Sequence, residues 1–112
     1  MDLKHSKQRA AENQSMYRSI NERIRELNEV FDEIASTRSE WICECADPGC
    51  MTHVEATLYE YEGIRANGRT FLVVPGHVIN EVERVVDTNA RFTIVEKLDN
   101  GGEVAEALDP RR

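Results

Sequence analysis

The hydrophobic positions of the first third of the chain fall at Tyr17, Ile20, Ile24, Leu27, Phe31 and Ile34, in alternating steps of three and four. That spacing sets them along one narrow stripe of an α-helix. Glu, Arg and Asn occupy the intervening positions and no Pro or Gly occurs before Pro48, so the segment predicts one long N-terminal helix. The stripe has two readings. It packs on the protein's own sheet, as surface helices usually do, or it zips against another protein or a second copy of this chain. It is too short to define a coiled coil by itself. The mixed outcome expected is an inner end packed at home and an outer end, near Tyr17, that meets a partner. Residues 1–14 are expected to be a flexible start to this helix.

After "STRSE" the period shortens. "EWICEC" and "HVEATL" are rich in strand formers and predict a hairpin with "ADPG" at its tip. Thr57 and Glu60 have the spacing of a capping box, which opens a short helix, "LYEYEGIRA", with Leu58, Tyr61 and Ile64 turned inward. A strand, "TFLVV", ends at "PGH". "EVERVVDTNARFTIVEK" then reads as two strands around "DTNA", because β-branched residues dominate both arms. The remaining "LDNGGEVAEALDPRR" is weakly apolar and is expected to be an edge extension or partly disordered. The predicted class is α+β: a long N-terminal helix on a small, mainly antiparallel sheet bearing one zinc-binding hairpin. Residues 15–98 form the single domain, and 99–112 its tail.

Composition bears on how such a domain is held together. The chain of 112 residues is 40% hydrophobic but only 6% aromatic and 31% charged, so its core is small and a metal staple would help it. The net charge of −7 is carried entirely by residues 39–112, since residues 1–38 hold seven basic and seven acidic groups. An acidic domain repels phosphate backbones, which ranks nucleic-acid binding last among the function classes. No apolar run approaches the ~20 residues of a membrane span, and the N-terminus has no hydrophobic signal region, so a cytoplasmic location is expected.

All three cysteines lie in "CECADPGC", at Cys43, Cys45 and Cys50. Residues two apart on an extended chain face the same way, so Cys43 and Cys45 converge. The Asp, Pro and Gly before Cys50 make a tight turn that folds it back toward them. Three clustered thiolates repel one another unless a cation neutralises them, and Zn²⁺ does so while driving their deprotonation. His53 and His77 are the candidates for a fourth ligand. In "VPGH", Pro75 and Gly76 suit the centre of a type II turn, which makes His77 the closing residue and fixes its ring. His77 is preferred, giving a Cys₃His zinc site at Cys43, Cys45, Cys50 and His77. Unliganded buried cysteines are a poorer account, because polar turn residues do not bury thiols.

The runs "WICECADPGC", "VEATLYEYEGIRANGRTFLVVPGH" and "EVERVVDTNARFTIVEK" resemble a group of small, uncharacterised bacterial proteins common in actinobacteria, over about residues 15–97. Cys43, Cys45 and Cys50 match that group's cysteine pattern, and Pro75, Gly76 and His77 its later turn. His53 falls where the pattern asks for no histidine. The resemblance implies a shared fold and site, and no reaction.

Three functions follow in order. The first is a non-catalytic, zinc-stabilised interaction or regulatory module whose contact surface includes the helix seam. The second is a thiol-based redox sensor or enzyme, which Glu44 and Asp47 disfavour because acids raise a thiol pKa. Catalytic zinc needs an open coordination position. It would return only if His77 did not bind, with Glu44, Asp47 or Glu55 as the base. The third is a zinc-motif nucleic-acid binder.

Overall fold

The computed structural model describes residues 3–31 and 38–111, with side chains from residue 8 to 27 in the first of these stretches. Its elements run α1 (Leu3–Phe31), β1 (Arg38–Ile42), β2 (His53–Thr57), α2 (Leu58–Arg65), β3 (Thr70–Val73), β4 (Glu83–Thr88), β5 (Thr93–Lys97) and α3 (Asp99–Ala107). The class is α+β, with a long N-terminal helix and antiparallel strands. The expected single sheet is two: a hairpin of β1 and β2, and a three-stranded sheet in the order β3-β5-β4. Among the described residues no helix is long and apolar enough to cross a membrane.

The local signals account for the short elements. Thr57 caps α2 through its hydroxyl, which accepts from the Glu60 N–H at 3.0 Å, while the Glu60 carboxylate accepts from the Thr57 N–H at 2.8 Å. The same carboxylate meets both terminal nitrogens of Arg91, at 2.9 and 2.7 Å, which ties α2 to the β4–β5 turn. That Arg91 pair, together with the capping contacts, lowers the Glu60 pKa to about 2. Tyr61 and Ile64 of α2 are buried and Leu58 is partly so. Tyr61 stacks on Trp41 of β1, with ring centroids 4.1 Å apart and planes 8° from parallel.

The tail differs from expectation: residues 99–107 are helical. Two adjacent glycines argue against a helix on propensity alone, but packing asks for one of them. A Cβ on Gly102 would lie 2.8 Å from the Lys97 carbonyl oxygen and 2.3 Å from an Arg69 guanidinium nitrogen. The close approach that only glycine permits lets α3 lie along the end of β5 and against α1.

The long helix also packs differently. Its inward face is Ala11, Gln14, Arg18 and Asn21, all buried and mostly polar. Each polar side chain reaches a partner. Gln14 Nε2 donates to Glu83 at 2.6 Å. Arg18 lies over the Phe71 ring, 4.6 Å from its centroid, and donates to the carbonyls of Gly68 and Ala105, each at 2.7 Å. Asn21 accepts from the Ile42 N–H at 2.8 Å and donates to the Ile42 carbonyl and the Glu44 carboxylate, both at 2.7 Å. Within the expected apolar seam, Tyr17 is buried inside its own chain instead of facing outward, and Ile24 packs partly on the core. Ile20 and Leu27 are exposed. The side chains of Phe31 and Ile34 lie outside the described residues.

Glu44 links the two sheets. Its N–H donates to the Leu72 carbonyl at 2.7 Å, and its fully buried carboxylate accepts from the Leu72 N–H at 2.9 Å. Desolvation raises its pKa to about 7, against the opposing pull of Asn21 and the Leu72 N–H. Replacing Glu44 with Ala leaves the Asn21 amide and the Leu72 N–H buried without their acceptor, and is expected to cost about 2–3 kcal/mol. Urea denaturation at saturating metal measures this, and a loss within error of zero would refute the bridging role.

Candidate metal centre

β1 ends at Ile42, so the cysteines occupy the ten-residue loop between β1 and β2 rather than the strand itself. The chain nevertheless stays extended through Glu44. The Cys43 N–H donates to the Thr52 carbonyl at 2.9 Å on one side, and the Glu44 N–H to Leu72 on the other. Alternation therefore survives the end of the strand. Cys43 and Cys45 turn one way, while Glu44 turns the other way into the core. The following turn closes with the Cys50 N–H donating to the Asp47 carbonyl at 3.1 Å, and Asp47 Oδ1 accepts from the Gly49 N–H at 2.9 Å. This short Asp-Pro-Gly turn brings Cys50 back over the first two sulfurs.

His77 arrives from the opposite direction, off the end of β3. Its N–H donates to the Val74 carbonyl at 2.9 Å, and Gly76 has a φ of +93°. This is the type II turn that the order Pro75, Gly76, His77 predicts. The turn aims Nδ1 at the sulfurs, 3.6 Å from Cys43 and 3.7 Å from Cys50. All four donor atoms lie within 4.8 Å of one another. His53 is elsewhere, exposed on β2 with its Nδ1 3.2 Å from the Glu40 carboxylate. Glu55 is exposed as well, and Glu44 points away from the sulfurs, so among the three bases considered for a catalytic centre only Asp47 stays nearby.

The donor set and its spacing suit a small tetrahedral ion. Metal–sulfur bonds of about 2.3 Å and metal–nitrogen bonds of about 2.0–2.1 Å, at tetrahedral angles, put sulfur and nitrogen roughly 3.6 Å apart; at the right angles of an octahedron the figure is roughly 3.1 Å. The observed 3.6 and 3.7 Å agree with the first. Each sulfur also receives a backbone N–H: Val74 to Cys43 at 3.2 Å, Asp47 to Cys45 and Thr52 to Cys50. Such donors favour thiolate over thiol.

Burial works against them. Desolvation pushes the Cys43 and Cys45 thiols above the ordinary thiol value. At Cys50 desolvation is outweighed by the Thr52 N–H and hydroxyl, with Cys45 and Cys43 adding to them, and its pKa falls. Three buried sulfurs supplied with N–H donors, two of them unable to ionise alone at neutral pH, are what a cation would complete. Beside the centre a cleft of about 370 Å³ is lined by Cys45, Ala46, Asp47, His77, Val78 and Ile79.

The part of the site that sequence reading missed is its support. Tyr17, read as a seam residue, sends its hydroxyl to the carbonyls of Pro48 at 2.7 Å and Asp47 at 3.1 Å. Helix α1 thus holds the cysteine turn from outside, and no spacing rule links a helix tyrosine to a turn thirty residues on.

Two measurements test this geometry. His77→Ala is expected to weaken metal binding by more than the roughly 10–100-fold that losing an outer hydrogen-bond partner costs, while His53→Ala leaves it unchanged. Competition titration against a chromophoric chelator decides between them, and the reverse ranking would overturn the ligand set. Tyr17→Phe frees the turn carbonyls, and a loss of about 1–1.5 kcal/mol in stability is expected by thermal melting. Compared with protein-family models, curated proteins and solved structures, the chain matches none of them, and its centre stands on its own geometry.

Proposed function

We propose that Cys43, Cys45, Cys50 and His77 hold one Zn²⁺, and that the protein is a non-catalytic, zinc-stabilised module that acts by binding. The observation that carries this reading is the donor cage itself: three sulfurs and one imidazole nitrogen within 4.8 Å, drawn from two separate turns. Three sulfurs and an imidazole nitrogen, two of the sulfurs at tetrahedral distance from that nitrogen, favour Zn²⁺ over Mg²⁺ or Ca²⁺, which take oxygen. Four protein ligands close the coordination sphere, leaving no position for a reactive water. The ion's contribution is therefore structural. It ties the β1–β2 loop to the end of β3, in a chain whose apolar core is small.

Thiol catalysis has less support. Burial raises Cys43 and Cys45, whereas a reactive cysteine needs its pKa lowered and its sulfur accessible. Nucleic-acid binding has less support among the described residues: Arg65, Arg69, Arg84 and Arg91 are each paired with a carboxylate. The resemblance to small actinobacterial proteins, at the same cysteines and the same Pro-Gly-His turn, is in keeping with a shared structural centre.

Protein purified without added metal is expected to contain about one zinc per chain by elemental analysis, and chelation should abolish its cooperative thermal transition. Cobalt substitution should give the intense visible bands of a tetrahedral thiolate site. Because Cys43 and Cys45 hold their protons in the metal-free protein, zinc uptake at neutral pH should release roughly two to three protons per ion, and acidification should expel the metal. A metal-free preparation with an unchanged melting temperature would overturn the proposal.

A further inference from the structure

The outer face of α1 is unlike its inner face. Opposite the buried Gln14, Arg18 and Asn21 runs a line of exposed residues: Arg9, Glu12, Met16, Ile20, Arg23 and Leu27. At about 100° per residue all six fall within roughly 40° of one direction. Three are large apolar side chains standing in solvent, with Met16 52%, Ile20 37% and Leu27 63% exposed. A helix that turns polar groups inward and apolar groups outward has a second surface to cover.

We infer that this face pairs with the same face of a second copy of the chain, the two helices running antiparallel about a two-fold axis that passes between Met16 and Ile20. The order of residues along the face argues for that occupant. Turned end for end about this axis, it matches itself: Met16 meets Ile20, Glu12 meets Arg23, and Leu27 meets the aliphatic stem of Arg9. Each contact occurs twice, so an apolar centre is flanked by two opposite-charge pairs. A parallel pair would set Glu12 against Glu12 and Arg23 against Arg23. The antiparallel arrangement also places the helix dipoles head to tail. No contact of the metal centre is disturbed, because Tyr17 and Asn21 lie on other faces of the helix. The inference rests on the binding half of the proposed function and names its partner, while the zinc half is tested separately.

The experiment is a charge swap followed by sedimentation equilibrium, with zinc content measured on every sample. The wild-type chain should show a concentration-dependent monomer–dimer equilibrium that weakens as salt is added. Glu12→Arg and Arg23→Glu each turn two attractions into two repulsions, and each should weaken self-association roughly tenfold or more. Mixed together, the two single variants should associate with each other. The arginine introduced in one then faces the glutamate introduced in the other, and the native Arg23 of the first faces the native Glu12 of the second. The double variant should recover the wild-type equilibrium. Both positions are exposed, and unchanged circular dichroism will show that the variants fold. A zinc-loaded wild type that stays monomeric up to about 1 mM, where even weak specific dimers populate, overturns the pairing and leaves the metal reading standing. Single variants that dimerise like the wild type overturn it as well. Dimers free of zinc would keep the pairing and sink the metal reading.

Discussion

The structure turns on a three-residue extended segment, Cys43-Glu44-Cys45. Backbone alternation sends its two sulfurs to one side and its carboxylate to the other, so one stretch of chain builds the candidate metal cage and the central hydrogen-bond knot together. The Cys43 N–H continues the β1–β2 hairpin through Thr52, and the Glu44 N–H reaches the edge of β3 at Leu72. The edge of β3 is thereby covered by the segment that carries the cysteines. Any slip of register by one residue would point the carboxylate at the other cysteine sulfurs and a sulfur at Asn21. The alternation is fixed from both sides.

Helix α1 is attached by the same logic of specific polar contact. Gln14, Arg18 and Asn21 give it little apolar burial on its inner face, and their hydrogen bonds end on backbone carbonyls, one backbone N–H and two carboxylates. Such a face defines one docking position more sharply than it stabilises one, because misplacement would add to the buried polar atoms already unpaired there, Gln14 Oε1, Ser15 Oγ and Arg18 Nε. Arg18 shows this well. Its guanidinium spans the carbonyls of Gly68 and Ala105 while lying over the Phe71 ring, so it gathers β3, α3 and the preceding turn around a single side chain.

Where sequence reading succeeded, the signal was local and stereochemical. The Thr57–Glu60 box, the Pro75-Gly76-His77 turn and the strand arms around residues 89–92 need only neighbouring residues to take shape. The Cys43, Cys45, Cys50 and His77 grouping was legible because chemistry selects few residue types for the task. Where it fell short, tertiary contact decided the outcome. The glycines at 101 and 102 read as breakers until the approach of Lys97 and Arg69 is seen. Polar Gln14 and Arg18 read as a wet face until their partners, more than forty residues away, come into place. Hydrophobic patterning assumes that polar means exposed, and α1 inverts that assumption.

The two turns of the metal cage also bear on the order of events in folding. His77 lies 27 residues beyond Cys50, with β2, α2 and β3 between them. The three cysteines can gather around an ion by local chain closure, whereas the imidazole arrives only after β3 has formed beside Glu44. Closing the larger loop costs more entropy and comes later. An ion taken up by this cluster would thus meet a three-sulfur half-site first and the histidine as a latch. Release should run in reverse, its rate set by how often the β3 end peels back rather than by the strength of any one metal–ligand bond.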